Sequence, residues 1–403
     1  MNKLILSLST ILIMSSSSIA QSYNNWRGPA RDGHYTETGL LKQWSATGPE
    51  MLWSYDQIGS GFSSAVLSDG KVYLTGMEEN MGFVYILSDK GAFEKKYPYG
   101  IEDTGNYPGT RSTPVIINNL MYIAGSQGDL VCMDLNTGKK KWSKGLFSDF
   151  DGSNIHWGFT ENLVVDGDLI FVSPGGKKNN IVALNRNTGD VVWSNSDKDG
   201  VSAYCSPLLV NHNGIKMLVT MMATDVVGLD AATGKLMWSF PYANQRKIHP
   251  NTPIYHQGDL YVFSGYGMGG YKLRLAADGK SVSQIWENKL LDPQVGGAVL
   301  VDGFIYGSGD RNRRWFGVNW ETGEVVFETR ELDKGTVIAA DGMLYAYTER
   351  GELALLKPSK GNFEIVNKTT VTLGTNQHWA HLVIDKGVLY VRHGNTIMAY
   401  KIK

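Results

Sequence analysis

Short apolar runs alternate with polar turns along most of the chain, and the alternation follows one repeating unit. The apolar runs at 130–133 and 181–184 are of strand length, and each leads into a turn of the pattern Asp/Asn-x-x-Thr-Gly. A strand bearing a tryptophan follows the turn, and the copies span 134–142, 185–193 and 230–238. Apolar runs bounded by turn residues predict strands joined by tight turns. The unit is therefore predicted to be a small antiparallel sheet.

The second strand of each unit carries one recognisable anchor position, and the anchors give the number of units. They are Tyr73, Tyr122, Phe171, Val219, Tyr261, Tyr306, Tyr345 and Tyr390. Their mean spacing is about 45 residues, the length of one four-stranded propeller blade. The pattern predicts an all-β fold, an eight-bladed β-propeller of four-stranded antiparallel blades.

The C-terminal unit is short, because residues 381–403 supply only three strands. An incomplete blade would leave an exposed sheet edge, which promotes aggregation. The segment 50–55 has the pattern of an outer strand, including Trp53. It is predicted to pair with the C-terminal blade and close the ring, so that the propeller spans residues 49–403 and residues 21–48 form a lead-in segment.

The repeated tryptophans have a structural and a functional interpretation. They are Trp53, Trp142, Trp193, Trp238 and Trp286. As structural residues they seal the junctions between neighbouring blades, with the Thr-Gly turn packed on the ring, whereas as functional residues one of them stacks on a ligand. A residue repeated in most blades favours the structural interpretation.

Charge and the N-terminal sequence restrict the function classes. The chain has 38 basic and 39 acidic residues, so it has no net positive charge to attract nucleic acid or an anionic membrane. Residues 1–20 combine Lys3, a short apolar stretch and a small-residue end at Ala20, the pattern of a cleavable signal peptide. No cysteine lies near the predicted cleavage point, which argues against lipid attachment. The sequence predicts a secreted or periplasmic protein without a membrane span.

Two cysteines, Cys132 and Cys205, lie in non-neighbouring repeats. An exported protein permits disulfides, but this separation favours two buried thiols over a bridge. Two distant cysteines are also a poor metal signal.

The repeat resembles the quinoprotein-type β-propellers, which include the pyrroloquinoline quinone (PQQ) dehydrogenases and the BamB-type scaffolds of outer-membrane protein assembly. The motif Trp-Arg-Gly-Pro-x-Arg-Asp-Gly at 26–33, followed by Thr-Gly-Leu at 38–40, is similar to exported and mostly uncharacterised bacterial PQQ-like repeat proteins. The resemblance covers the chain from about Asn25 onward. Because enzymes and scaffolds share the fold, it implies both functions as alternatives.

The dehydrogenase resemblance implies PQQ, a calcium ion held by acidic and amide side chains, an aspartate base and a disulfide between adjacent cysteines. No adjacent cysteines occur, and no Asp or Glu matches the calcium or base positions. PQQ and calcium are therefore expected only under the dehydrogenase alternative, and no catalytic or metal-binding residue is assigned. The BamB resemblance implies a non-catalytic scaffold with a lipid anchor, whose cysteine this chain lacks.

The loops that lead into the innermost strands differ from blade to blade, and they are predicted to line one mouth of the central channel. The candidate ligand-binding residues on them are Arg111, Trp157, Glu161, Tyr204, His249, Asn251, His378 and Trp379. Aromatic faces with a few charged groups suit a small polar ligand. In the structural alternative, Arg111 pairs with Glu161 and the histidines bond to main-chain carbonyls.

We therefore expect a non-enzymatic exported propeller that binds a protein partner or a small polar ligand at this mouth. A PQQ-dependent alcohol or sugar dehydrogenase is the alternative.

Overall fold

The computed structural model describes residues 26–198 and 200–403, and every regular element in these ranges is a β-strand. The predicted signal peptide at 1–20 lies outside the described residues. None of the described residues forms a helix long and apolar enough to cross a membrane.

The strands form eight antiparallel four-stranded sheets, which are the blades, and one of them carries a fifth, parallel strand. Blades 1 to 3 are β3 to β14: Val66–Ser68, Lys71–Glu78, Met81–Ser88 and Phe93–Ile101; Val115–Ile117, Leu120–Ala124, Asp129–Asp134 and Lys140–Gly145; Val164–Asp166, Leu169–Val172, Ile181–Asn185 and Val191–Asn195. Blades 4 and 5 are β15 to β22: Leu208–His212, Ile215–Met221, Asp225–Asp230 and Leu236–Pro241; Ile254–His256, Asp259–Ser264, Gly269–Leu275 and Val282–Asn288. Blades 6 and 7 are β23 to β30: Ala298–Val301, Phe304–Ser308, Trp315–Asn319 and Val325–Thr329; Gly335–Ala340, Met343–Thr348, Glu352–Ser359 and Asn362–Thr370.

Blade 8 joins the two ends of the propeller. Its strands are β31 (Val383–Asp385), β32 (Val388–His393), β33 (Thr396–Lys401) and, at the outer edge, β2 (Glu50–Tyr55). Trp53 of β2 pairs with Ala399 of β33 in antiparallel register. The predicted eight-bladed fold and its closure by segment 50–55 are both confirmed.

Apolar side chains are buried between blades rather than in one central core. The structure contains eight hydrophobic clusters, and each draws its residues mainly from two adjacent blades. Each innermost strand pairs with the anchor of its own blade, as Val66 pairs with Tyr73 and Val383 with Tyr390. Burial at eight junctions makes neighbouring blades mutually dependent, as in other repeat proteins.

The repeated tryptophans lie at these junctions. The indole Nε1 of Trp193 on β14 donates to the carbonyl of Ala231 in the next blade, at 3.1 Å. Gly234, in the Thr-Gly turn of that blade, has φ of +74°, and a Cβ there would overlap the Trp193 ring. The same indole-to-carbonyl bond recurs for Trp53, Trp142 and Trp286. The structural interpretation accounts for these rings, and the glycine of the turn is what allows such close packing.

Trp238 lies in the cluster between blades 4 and 5, but its Nε1 has no hydrogen-bond partner among the described residues.

Cys132 and Cys205 are buried free thiols, as predicted. Burial raises the pKa of Cys132 to about 11 and that of Cys205 to about 12, so both remain protonated at neutral pH.

The lead-in segment enters the channel, which the sequence did not reveal. Strand β1 (His34–Tyr35) pairs in parallel with Ala339 and Ala340, at the inner edge of blade 7. The chain then leaves the channel at its other end, where the main-chain N–H of Leu40 donates to Asp341 in the turn of blade 7. Residues 26–35, called the channel segment, are therefore an integral part of the propeller interior.

Candidate functional site

A cavity of about 450 Å³ opens where the chain enters the innermost strands, and we call it the mouth cavity. In every blade the anchor of the second strand pairs with one residue of the innermost strand. The residue four positions before that innermost-strand partner lines the cavity. These residues are Phe62, Arg111, Thr160, Tyr204, Pro250, Val295, Lys334 and Trp379. The repeat thus places eight unlike side chains at equivalent positions around one opening.

Four of the eight predicted site residues line this cavity. Arg111, Tyr204 and Trp379 occupy the shared position, and Trp157 reaches the wall from the longer loop before blade 3. Arg111 donates to the carbonyls of Trp157, at 2.6 Å, and of Tyr107, at 2.9 Å. The main-chain N–H of Trp157 in turn donates to the Tyr204 hydroxyl at 2.8 Å. These bonds fix the loops of blades 2, 3 and 4 against one another.

The other four lie outside the cavity lining, because they occupy the alternate positions of the same extended segments. Side chains alternate in direction along extended backbone, and Glu161, His249, Asn251 and His378 each lie an odd number of residues before the anchor's partner. Asn251 joins two blades: its Nδ2 donates to the carbonyl of Pro293 at 2.8 Å, and its Oδ1 accepts from Gly297 at 3.1 Å.

Glu161 is buried and does not pair with Arg111. Its Oε2 accepts the N–H of Ser173 at 3.1 Å, while its Oε1 has no partner among the described residues. Burial raises the pKa of Glu161 to about 8, against the favourable charge of nearby Arg31. The carboxyl is therefore mainly neutral at pH 7.

The two candidate histidines lie in the segments between blades and pack against other rings. His249 is fully buried beside the Tyr242 ring, at a centroid distance of 4.9 Å, and burial lowers its pKa to about 4. His378 stacks on His393 at 3.6 Å, and its Nδ1 lies 2.5 Å from the Tyr347 hydroxyl. Both pack against neighbouring aromatic or imidazole rings.

A belt of hydrogen bonds links the residues two positions further along the segments of blades 8, 1, 2, 3 and 4. The main-chain N–H of Ser64 donates to the Thr113 hydroxyl at 3.0 Å, and the N–H of Thr113 donates to Asn162 Oδ1 at 2.6 Å. Asn162 continues the belt by donating to Ser206 Oγ at 3.2 Å. The Ser64 hydroxyl donates to the carbonyl of His381 in blade 8 at 3.2 Å. Several of the small polar residues at the strand entrances therefore join blades.

The channel segment closes the cavity from below. Trp26 contributes to the cavity lining, and its ring contacts His381 at a centroid distance of 5.0 Å. The buried Arg27 donates to the carbonyl of Ala298 in blade 6 at 2.6 Å. The buried Arg31 donates to the carbonyls of Asn162 and Leu163, before blade 3, at 2.6 and 3.0 Å. Two arginines thus fix the segment to opposite sides of the channel. Burial lowers the pKa of each to about 10, so both stay charged.

Seven aromatic residues contribute to the wall: Trp26, Phe62, Tyr107, Trp157, Tyr204, Tyr266 and Trp379. The Trp379 ring packs against Phe62 and Tyr107, with centroids at 5.1 and 4.9 Å. Tyr107, Tyr204 and Tyr266 have φ of +57°, +67° and +62°. A bulky residue in the left-handed region is uncommon and strained, and such strain concentrates at binding sites.

Polar groups of the wall are unevenly satisfied. Lys334 forms ion pairs with Asp310 at 2.6 Å and Glu349 at 3.3 Å. Arg111 and Arg246 have no ion-pair partner among the described residues. The Thr160 hydroxyl is buried without a hydrogen-bond partner in the same described part of the chain. The wall therefore offers free polar groups to a bound molecule.

The residues present do not fit the calcium ion of the dehydrogenases. Glu349 is the one carboxylate among the described lining residues, and it is engaged by Lys334 and by Nε1 of Trp379, the latter at 3.2 Å. No group of three or more His, Cys, Asp or Glu suited to a metal ion occurs within the described ranges. A calcium ion needs several oxygen ligands, and the described lining residues offer no free carboxylate to supply them.

Comparison with known proteins agrees with this architecture. Residues 102–329, more than half of the chain, match the family described as outer membrane protein assembly factor BamB. The chain belongs to this family of PQQ-like β-propellers. A BamB structure from Moraxella catarrhalis superposes with a TM-score of 0.63 at 14% identity, covering 88% of this chain and 100% of that one. At this identity the likeness supports the fold alone.

Relatives of this family member include both enzymes and assembly factors. The chain is 29% identical over 143 residues to the quinoprotein alcohol dehydrogenase PedH of Pseudomonas putida, which covers 33% of this chain and 23% of PedH. It is 30% identical over 149 residues to the outer membrane protein assembly factor BamB of Kangiella koreensis, covering 35% of each. The matches thus span about a quarter to a third of these relatives' own length.

Proposed function

We propose that this family member is an exported, non-enzymatic propeller that binds a small polar ligand in the mouth cavity. The convergence of eight unlike side chains at one equivalent position carries the proposal. Purely structural positions repeat a residue type, as the junction tryptophans do, whereas these positions differ in every blade. The cavity volume lies within the range of small-molecule sites.

A small ligand suits the cavity better than a protein partner does. The channel segment closes the base of the cavity through Trp26, and Arg27 and Arg31 hold the segment in place, so the opening is a concave pocket. Proteins generally recognise one another over larger and flatter surfaces. A protein partner would have to insert a protruding segment between the aromatic rings.

A panel of six small molecules tests the proposal. It contains naphthalene-2-carboxylate, naphthalene-2-carboxamide, 2-naphthylmethylamine, galacturonate, galactose and galactosamine, with binding measured by saturation-transfer NMR. We expect at least one member of the panel to bind the wild-type protein. Failure of all six to bind at millimolar concentration would contradict ligand binding at this cavity.

Two variants locate the binding. Trp157→Ala removes one aromatic wall but keeps the main-chain bonds to Arg111 and Tyr204, and it should lose the saturation-transfer signal. Phe93→Ala is the matched control, because Phe93 is 45% exposed on the outer strand of blade 1 and outside the cavity lining. Equal signals from both variants would place the ligand elsewhere.

The quinone-dependent dehydrogenase remains the alternative because of the partial similarity to PedH. Protein incubated with PQQ and calcium chloride is expected to show no dye-linked oxidation of ethanol or glucose. Sustained turnover would replace the proposed binding function by the enzymatic one.

Export is the remaining part of the proposal, and it rests on residues 1–20. Expression of the full-length chain in a bacterial host should yield a mature protein beginning at Gln21. N-terminal sequencing of that protein from the periplasmic or extracellular fraction is the test.

A further inference from the structure

The lining of the mouth cavity has more cations than carboxylates, although the chain as a whole is nearly neutral. The lining includes three cations, Arg111, Arg246 and Lys334, and one carboxylate, Glu349, whereas the whole chain has a formal charge of −1. The one carboxylate of the lining, Glu349, is paired with Lys334, which also pairs with Asp310. Arg111 and Arg246 have no ion-pair partner among the described residues, and the carboxyl groups that favour the charge of Arg111 are those of Asp103 and Glu102, outside the lining.

Arg111 is rigidly oriented. Its guanidinium gives Nη1 to the carbonyl of Trp157 and Nη2 to the carbonyls of Asn106 and Tyr107. A guanidinium has five N–H donors, so two remain for another acceptor. Main-chain carbonyls hold the group in place but do not cancel its full charge. Such a preorganised cation favours an anionic ligand over a neutral one.

Arg246 is the exposed counterpart at the rim. It lies between strands β18 and β19, its side chain is exposed, and it has neither a side-chain hydrogen bond nor an ion pair among the described residues. The loop is fixed beneath it, because Asn244 Oδ1 accepts the main-chain N–H groups of Arg246 and Ile248 at 2.9 and 3.2 Å. A long cationic side chain on a fixed loop is able to fold over a bound anion.

The aromatic rings surround these cations in two groups. Trp157 and Tyr204 lie on one side at a centroid distance of 6.2 Å, and Trp379 packs with Phe62 and Tyr107 on another. Aromatic faces bind flat apolar surfaces, which include ring systems and the C–H faces of sugars. The aromatic rings and the cations together suit a ligand that has a flat apolar face and a negative charge.

We infer that the ligand is an organic carboxylate with a flat apolar face, held between the aromatic rings and neutralised by Arg111 and Arg246. The inference rests on the proposed function, since it names the ligand class of the same cavity. Two sources share this chemistry, namely an aromatic acid and an acidic sugar. Naphthalene-2-carboxylate and galacturonate represent them, and the one that binds more tightly identifies the source.

The test compares dissociation constants within each set of three compounds by calorimetry. The carboxylate is expected to bind at least about tenfold more tightly than its neutral counterpart, and the amine more weakly still, as expected for one charge interaction in a partly exposed site. Equal or tighter binding of the neutral compound would overturn the ligand class and leave small-ligand binding intact. Failure of all six compounds would instead remove the proposed function itself.

A charge-reversal variant supplies the second arm. Arg246→Glu should weaken binding of the carboxylate by at least about tenfold, while the neutral compound stays within about twofold. Lys140→Glu is the matched control: it makes the same charge change at an exposed position of strand β10, outside the cavity lining. If the two variants weakened carboxylate binding equally, the effect would be one of net charge and the role of Arg246 would be wrong.

Discussion

The guanidinium of Arg27 donates a hydrogen bond to Nδ1 of His381 at 3.2 Å, although 354 residues separate the two in the chain. Because Nδ1 accepts, the imidazole carries its proton on Nε2, which donates to the carbonyl of Val295 at 2.9 Å. Burial and the charge of Arg27 lower the pKa of His381 to about 3, so the ring is neutral at physiological pH. This contact joins the channel segment to blade 8 beneath the mouth cavity.

Replacement of Arg27 by Ala should therefore destabilise the whole propeller. The change leaves the acceptor of His381 and the carbonyl of Ala298 unpaired in a buried site, at a cost of about 2–4 kcal/mol. Urea unfolding measures the loss. Arg330→Ala is the control, because Arg330 is exposed and without an ion pair among the described residues, and it should change stability by less than about 0.5 kcal/mol.

Much of this arrangement was accessible from sequence. The anchors gave the blade number, and the outer-strand pattern of segment 50–55 gave the ring closure. Seven of the eight shared cavity positions lie eleven residues before an anchor, as Phe62 precedes Tyr73. In blade 4 the distance is fifteen residues, because strands β15 and β16 are longer at their connecting turn and displace Val219 from Tyr204. Counting eleven residues back from an anchor places Arg111, but not Glu161, at a cavity position.

Other parts could not be predicted from local pattern. The channel segment contains only two strand residues, His34 and Tyr35, and its contacts lie more than 100 residues away in sequence. The motif around Arg27 and Arg31 therefore indicated the family resemblance but did not predict where these residues lie in the fold. The direction of Glu161, buried in its blade, depends on the pairing register, which only the folded structure defines.

Glu161 gives the protein a specific pH dependence. Its carboxyl has an ordinary pKa of 4.5 and a folded-state pKa raised to about 8 by burial. The folded state holds the proton more tightly, so this contribution to stability is present at low pH and is lost as pH rises toward 8. From pH 6.5 to 8.5 the wild-type protein should lose about 2 kcal/mol relative to Glu161→Gln.

Histidines with lowered pKa values add a second pH dependence, which the variant cancels. Burial lowers the pKa of His249 and His378 to about 4 and that of His381 to about 3, so their contribution to stability grows as pH rises and levels off only above the ordinary pKa of 6.5. Because this contribution is common to the wild-type protein and Glu161→Gln, the difference between their urea-unfolding profiles isolates Glu161. Parallel stability profiles for the wild-type protein and Glu161→Gln would contradict a neutral buried carboxyl.

The glycine of the Thr-Gly turn should be sensitive for two separable reasons. Gly234 and Gly214 both have positive φ, at +74° and +83°, but only Gly234 faces the Trp193 ring, while Gly214 faces open space. Gly214→Ala should cost about 1 kcal/mol from backbone strain. Gly234→Ala should cost a further 1–3 kcal/mol or so from overpacking. Thermal unfolding of the pair measures the difference, and equal losses would mean that the indole contact does not restrict the turn.

The left-handed backbone of Tyr107 can be tested without reference to a ligand. Tyr107 has φ of +57° and is 46% exposed. Both Tyr107→Ala and Tyr107→Gly remove the ring, but glycine adopts this conformation freely, so Tyr107→Gly should be more stable by about 1 kcal/mol. Calorimetric unfolding distinguishes them, and a more stable alanine variant would show that the loop is unstrained.

The most direct test of the mouth cavity uses the tryptophans themselves. In protein labelled with ¹⁵N at the indole nitrogens, the panel compound that binds most tightly is titrated while the Nε1–H resonances are recorded. Trp26, Trp157 and Trp379 line the cavity, whereas Trp142, Trp193 and Trp286 are hydrogen-bonded at blade junctions. Saturable shifts confined to the cavity tryptophans are the predicted result. Shifts at the junction tryptophans alone, or no shift in either group, would contradict a ligand site at the mouth of this propeller.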